Sequence, residues 1–139
     1  MADVSSTPPA TDSEMGDRIV GIDLGTSYSA LAVLDEDGQP RVIDNSNQSP
    51  LTASVVLLGD ADQAEVDPDA AALAQCPPER RVVAIKREMG NPRFALRHGN
   101  RRLTPEILSA LILTRLRQDA ASRIGPVRRA VITVPYYFN

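Results

Sequence analysis

Apolar residues in this chain fall into short runs broken by Gly, Pro and acidic turns, and one longer stretch repeats them at helical spacing. Ile19, Val20, Ile22 and Leu24 form the first run. Gly25-Thr26-Ser27 interrupts it, and Tyr28 to Leu34 resumes it with Ala30, Leu31, Ala32 and Val33. Two such runs around a Gly-bearing turn predict a β-hairpin. Asp35-Glu36-Asp37-Gly38 is a second turn, and Arg41-Val42-Ile43 reads as a third strand, so the chain opens as an antiparallel meander. Asn45 to Pro50 is a polar loop, and Ser54 to Leu58 is a further β-rich run.

Helical signals follow. Asp67 before Pro68 predicts an N-cap and first helical position, opening a short helix through Gln75 that Pro77-Pro78 ends. Periodicity alone suits Arg80 to Met89 to helix or strand. Its length, its lack of strict alternation and the following Gly90 favour a helix with a Gly cap. Phe94 to Arg97 and Arg101 to Leu103 flank His98-Gly99-Asn100 and predict another hairpin. Thr104-Pro105-Glu106 is the clearest helix start, with a capping hydroxyl, Pro at the first position and an acid in the first turn. Leu108, Ile112, Leu116, Ala120 and Ile124 then recur at spacing four until Gly125-Pro126 stops the helix. The β-branched run Ala130 to Val134 predicts a strand buried on both faces, ended by Pro135. The aromatic ending from Tyr136 to Asn139 stops in mid-pattern, as a cut chain would, and no repeat at solenoid periods is present.

Composition narrows the class. The 139 residues are 42% hydrophobic and 24% charged, enough for a packed core in one domain or part of one. Aromatics are only 4%, so aliphatics fill that core. No apolar run approaches the ~20 residues of a membrane helix. The net charge of −3 gives no bulk attraction to nucleic acid or anionic lipid. Cys76 is the only cysteine, which excludes an intramolecular disulfide and a multi-cysteine metal site and suits a reducing compartment. Residues 1–17, rich in Pro, Ser, Thr and acids and lacking a secretory apolar segment, read as a disordered tail.

Two places could carry chemistry. Asp23 ends an apolar strand just before Gly25-Thr26-Ser27. Gly permits a tight turn and close approach of a ligand, and the amides and hydroxyls of this turn suit a phosphate. Asp23 would then need magnesium or ordered water between itself and the anion. An ordinary hairpin turn with Asp23 bonding its own backbone fits the same spacing, and both readings stand at this point. The Walker pattern is absent. The second place is Lys86, the only lysine beside fourteen arginines. A compact ammonium aimed at a phosphate explains it, and so does a solvated helix face. Residues 80–102 hold eight basic side chains and one acid, Glu88, with Phe94 the sole aromatic. That favours a solvated surface or partner contact over a nucleic-acid patch. His98 has no second histidine, Cys76 has no visible base, and Ser54 and Thr52 have no triad partners, so none receives a role.

In this order the motifs resemble the nucleotide-binding domain of the heat shock protein 70 (DnaK-like) chaperones. The resemblance rests on residues 19–29, on Ser54-Val55-Val56, on Ala84-Ile85-Lys86-Arg87 with Met89-Gly90, and on Leu103-Thr104-Pro105-Glu106. Ala130 to Pro135 with Tyr137-Phe138-Asn139 completes it. The first motif is shared with actin-like proteins and sugar kinases; the Lys86 motif and the ending are more specific. The resemblance implies an α/β, mixed-sheet, ribonuclease-H-like half-domain of the actin-like ATPase fold. Residues 18–50 and 110–139 would form its sheet lobe and 51–109 a small α+β insert. It implies ATP/ADP and magnesium as cofactors. Asp23 would hold magnesium through water, and Gly25, Thr26, Ser27 and Tyr28 would form the first phosphate loop, with Ser27 where the family usually has Thr. Lys86 would contact the γ-phosphate and position the attacking water. Pro135 would relay nucleotide occupancy to a peptide-binding domain. Partners would be unfolded polypeptide clients and co-chaperones, without nucleic acid or membrane, in the cytoplasm. The second phosphate loop, the adenosine-binding segment and the peptide-binding domain would lie after Asn139, leaving the half-domain incomplete. These 139 residues alone are therefore expected to bind ATP weakly or not at all, without hydrolysis. An actin-like filament or adaptor protein, and a non-catalytic partner-binding remnant, are the alternatives.

Overall fold

The computed structural model describes residues 18–60, 63–136 and 138. The expected tail, residues 1–17, lies outside them. The predicted hairpin forms as β1 (Ile19–Asp23) and β2 (Tyr28–Leu34), antiparallel with Val20 opposite Val33 and Ile22 opposite Leu31. Alternation along these strands sends Val20, Ile22, Leu31 and Val33 to one face, where all are buried. The acidic turn closes as expected: the Asp35 carboxylate accepts the Asp37 and Gln39 amides at 3.0 and 2.8 Å. It leads into β3 (Pro40–Val42), which pairs with β2.

The run expected over Ser54 to Leu58 is strand only from Val56 on, and a short strand not expected from the sequence precedes it. β4 (Thr52–Ala53) pairs with Tyr28 and Ser29 at the start of β2. β5 (Val56–Leu58) forms the centre of a second sheet, between β6 (Ala64–Val66) and β7 (Arg81–Val82). A two-stranded hairpin, β8 (Leu96–His98) with β9 (Arg101–Leu103), follows as predicted.

The long helix is also where the sequence puts it, and we label it α2 (Pro105–Ile124), after the short α1 (Ala70–Gln75). The Thr104 hydroxyl accepts the Ile107 amide at 3.3 Å, and Gly125, at φ +81°, caps the far end. Leu108, Ile112, Leu116 and Ala120 are buried and join the core residues of both larger sheets into one cluster. From α2 the chain returns as β10 (Arg129–Thr133), parallel to β1, giving a mixed sheet in the order β10-β1-β2-β3.

Three expectations are corrected. Asp67 does not cap α1; Asp69 does, accepting the Ala72 amide at 2.7 Å. Asp67 instead sits at φ +59° with its carboxylate turned to the Ala53 amide (2.7 Å) and to the side-chain amides of Asn45 and Asn47 (3.0 Å each). These acceptor sites are taken by partners far away in sequence, so the local cap signal is outcompeted. Residues 80–89 are not an α-helix. Arg81 and Val82 pair with Leu57 and Val56, and Ala84, left-handed at φ +53°, then redirects the chain into a 3-10 turn, Ile85–Glu88. A ladder to β5 satisfies backbone groups that a helix would otherwise bond within itself. Finally, β10 is exposed along its whole length, with Val131 66% and Ile132 38% accessible. It stands at the sheet edge with β1 as its single strand neighbour among the described residues.

Candidate functional site

The turn after β1 is held tightly. The Gly25 amide donates to the Ser29 hydroxyl at 3.2 Å, and Ser29 shares a 2.9 Å hydrogen bond with the Ser54 hydroxyl; both serines are buried. The Ser54 amide donates to the Ser27 carbonyl at 2.9 Å. Gly25 is required by close approach rather than by φ: a Cβ built there would lie 1.9 Å from the Tyr28 carbonyl oxygen. Thr26 is half-buried and Ser27 exposed. Among the described residues no hydrogen bond engages their amides or hydroxyls, so these donors face outward unpaired. Tyr28 is the first residue of β2 and is exposed.

Asp23 is the last residue of β1, exposed, and in register with Thr133, the last residue of β10. The Thr133 hydroxyl donates to one Asp23 carboxylate oxygen at 2.7 Å. The ordinary-turn alternative, with Asp23 bonding its own turn, therefore does not describe this carboxylate. Both strands of this parallel pair end at the same edge. In open α/β sheets that carboxyl edge is where ligands bind.

Lys86 comes to the same edge. Ile85 is buried at 3% exposure and anchors the 3-10 turn in the core, which leaves Lys86, half-buried, directed at the strand ends. Its ammonium donates to the carbonyl of Leu24, the residue between Asp23 and Gly25. Behind it, the Ser109 hydroxyl on α2 contacts the Met89 sulfur at 3.7 Å, tying the segment to the long helix. The structure thus brings Asp23, the Gly25 turn and Lys86 together. Pro135 lies two residues past Thr133, half-buried, its carbonyl accepting the Phe138 amide at 3.1 Å. No hydrogen bond links it to Asp23 or Lys86 among the described residues.

The chemistry available is anion binding. One ammonium and a row of unpaired N–H and O–H donors stand beside one carboxylate. Asp23 is a hard oxygen ligand with one oxygen free of partners among the described residues, which fits a hydrated magnesium. Among the described residues no group of three His, Cys, Asp or Glu could hold a metal by itself, so any ion here would be completed by water and by the anion. Thr133, Ser29 and Ser54 were not singled out from sequence for this edge. Thr133 could have been found only from the β1–β10 register, whereas Ser29, four residues from Gly25, carried a local signal. Cys76 is a half-buried thiol, and among the described residues the buried Nε2 of His98 has no partner.

A family model described as Hsp70 protein matches residues 19–95 and 91–139. Over 127 residues the chain is 39% identical to the chaperone protein DnaK of Thermotoga neapolitana, a match covering 91% of this chain and 21% of that protein. The chain therefore spans about a fifth of the length of this relative.

Proposed function

Because the chain belongs to the Hsp70 family, we propose that the 23–28 turn and Lys86 form one wall of an ATP phosphate site, in a chaperone that couples ATP hydrolysis to protein folding. The mixed α/β fold is that of part of an Hsp70 nucleotide-binding domain, the actin-like ATPase fold. The observation that carries the reading is the Lys86 ammonium on the Leu24 carbonyl, beside donors in the next turn that lack partners among the described residues.

On this reading the Thr26 and Ser27 amides and hydroxyls, with the Gly25 backbone, surround phosphate oxygens, while Tyr28 flanks them from β2. Lys86 neutralises charge at the terminal phosphate and orients the attacking water, with the Leu24 carbonyl holding its ammonium in place. Asp23, steadied by Thr133, would hold magnesium through water, and the bound ion would supply further neutralisation of phosphate charge. Catalysis by such a set is positioning and electrostatics, with no covalent intermediate on the protein. Pro135, two residues past the end of the strand that carries Thr133, relays the state of the site to a peptide-binding domain. Residues 18–50 and 110–139 act as the sheet lobe and 51–109 as an insert. Unfolded polypeptides and co-chaperones are the partners, in the cytoplasm and under stress. No helix among the described residues is long and apolar enough to cross a membrane.

The test is Lys86→Ala in the complete protein. ATP turnover falls by about 10²- to 10³-fold, the scale for losing one charge-stabilising group, while ATP still binds by equilibrium titration. Unchanged turnover removes Lys86 from the mechanism. The 139 residues alone supply one wall of the cleft and are expected to show no turnover.

A further inference from the structure

The β8–β9 hairpin stands outside both larger sheets, and its two outer edges are unpaired among the described residues. Its register sets Leu96 opposite Leu103 and His98 opposite Arg101, with Arg97 directly opposite Arg102 between them. Alternation puts the leucines on one face and the two arginines on the other. Leu103 is buried and Leu96 packs on the core, so Arg97 and Arg102 point to solvent, and both are exposed. Directly opposed antiparallel residues carry their Cβ atoms about 5 Å apart, where like charges destabilise the pair. No carboxylate among the described residues pairs with either guanidinium. Glu106, which shares a cleft with Arg102, is engaged by the Thr104 hydroxyl instead. Exposed Arg87 and Arg93 add to the same charge, without ion pairs of their own among the described residues. Residues 80–102 carry eight basic side chains against one acid, whereas the rest of the chain carries seven against seventeen. The positive charge is therefore concentrated here, at a local cost that a bound anion would remove.

We propose that this hairpin is a docking surface for a carboxylate-rich polypeptide segment, added as a strand along one hairpin edge with its acidic side chains on the face that carries Arg97 and Arg102. Strand addition uses the unpaired backbone groups of the edge for affinity and leaves every second side chain on the arginine face for specificity. Guanidinium and carboxylate meet in paired hydrogen bonds, which suits Arg here better than Lys. Single-stranded nucleic acid is the poorer fit, because its binders stack bases on aromatic side chains. Phe94, the only aromatic of the segment, packs against the core.

The probe is a labelled decapeptide of alternating Glu and Thr, titrated at low ionic strength and followed by fluorescence anisotropy. Arg97→Ser/Arg102→Ser is expected to weaken binding by about tenfold or more. This variant removes a like-charge pair, so the hairpin is not expected to unfold. Arg97→Glu is a second variant with the same direction of effect. Arg117→Ser/Arg128→Ser makes the same change in net charge at exposed positions elsewhere and leaves affinity essentially unchanged. The proposal is overturned if wild type does not bind the peptide, if the hairpin variants lose less than this, or if both double variants lose affinity equally. A ten-nucleotide oligo-dT bound more tightly than the peptide, and lost in the same hairpin variants, overturns it in favour of nucleic acid.

Discussion

Gly25 and Gly21 offer a paired test of how the turn after β1 is built. A Cβ at Gly25 would stand 1.9 Å from the Tyr28 carbonyl oxygen and 3.1 Å from its carbon, while real Cβ contacts essentially never fall below 3.0 Å. Both neighbours are backbone, so no side chain can swing away. Relief requires the turn to open by about 1 Å. That movement strains two contacts that define it, Gly25 amide to Ser29 hydroxyl at 3.2 Å and Ser54 amide to Ser27 carbonyl at 2.9 Å. Overpacking of this kind costs roughly 1–3 kcal/mol, and each weakened hydrogen bond adds about 0.5–1.5 kcal/mol. Gly25→Ala is therefore expected to destabilise the fold by about 2–6 kcal/mol.

Gly21 lies four residues earlier in β1, and a Cβ there meets nothing closer than the Ala32 carbonyl oxygen at 4.0 Å. Gly21→Ala has room, and it restricts the unfolded chain, so it is expected to be neutral or to stabilise by up to about 1 kcal/mol. Urea unfolding of the two variants beside wild type, with midpoints and slopes compared, checks both numbers. A Gly25→Ala cost below about 1 kcal/mol, or equal effects at the two sites, would refute the close-approach reading.

Two further outcomes follow from the same structure. Asp67→Ala leaves the Ala53 amide and two asparagine side chains short of an acceptor; a loss of about 2–3 kcal/mol in denaturant is expected, and a loss below 1 kcal/mol contradicts that hub. The Glu106 carboxyl titrates below its ordinary 4.5 because the Thr104 hydroxyl and its own amide bond the charged form. Its stabilising contribution is thus present above 4.5 and lost as pH falls through the lowered value. Thr104→Ala should return the Glu106 titration, followed by NMR, toward 4.5, and should cost about 1 kcal/mol through the lost cap.

What could be read from the chain in advance divides by the range of the forces involved. The first hairpin, the acidic turn at Asp35 and the cap of α2 are fixed by neighbours within four residues, and each appears where local chemistry puts it. Asp67 carried an equally good local cap signal and lost it to partners 14, 20 and 22 residues away. Residues 80–89 carried helical length and a Gly stop, yet Arg81 and Val82 were claimed by β5, and no local signal announces a left-handed alanine at position 84. The β-branched run of β10 predicted a strand correctly and its surroundings wrongly, since composition describes what a strand tolerates and not which neighbours it has.

Lys86 shows why a candidate site can be legible when its element is not. The helix expected around it does not form. Residue type, one ammonium in a chain that otherwise uses arginine, leaves a solvated helix face open beside an anion contact, and the motif Ala84 to Arg87 with Met89-Gly90 is what singles Lys86 out. Neither feature depends on whether a helix or a 3-10 turn presents the side chain. What decides its direction is the adjacent Ile85, which must enter the core and so turns Lys86 toward the β1 terminus. If this is the cause, Ile85→Ser should release Lys86 from the Leu24 carbonyl while Arg87→Ser, at an exposed position, should not.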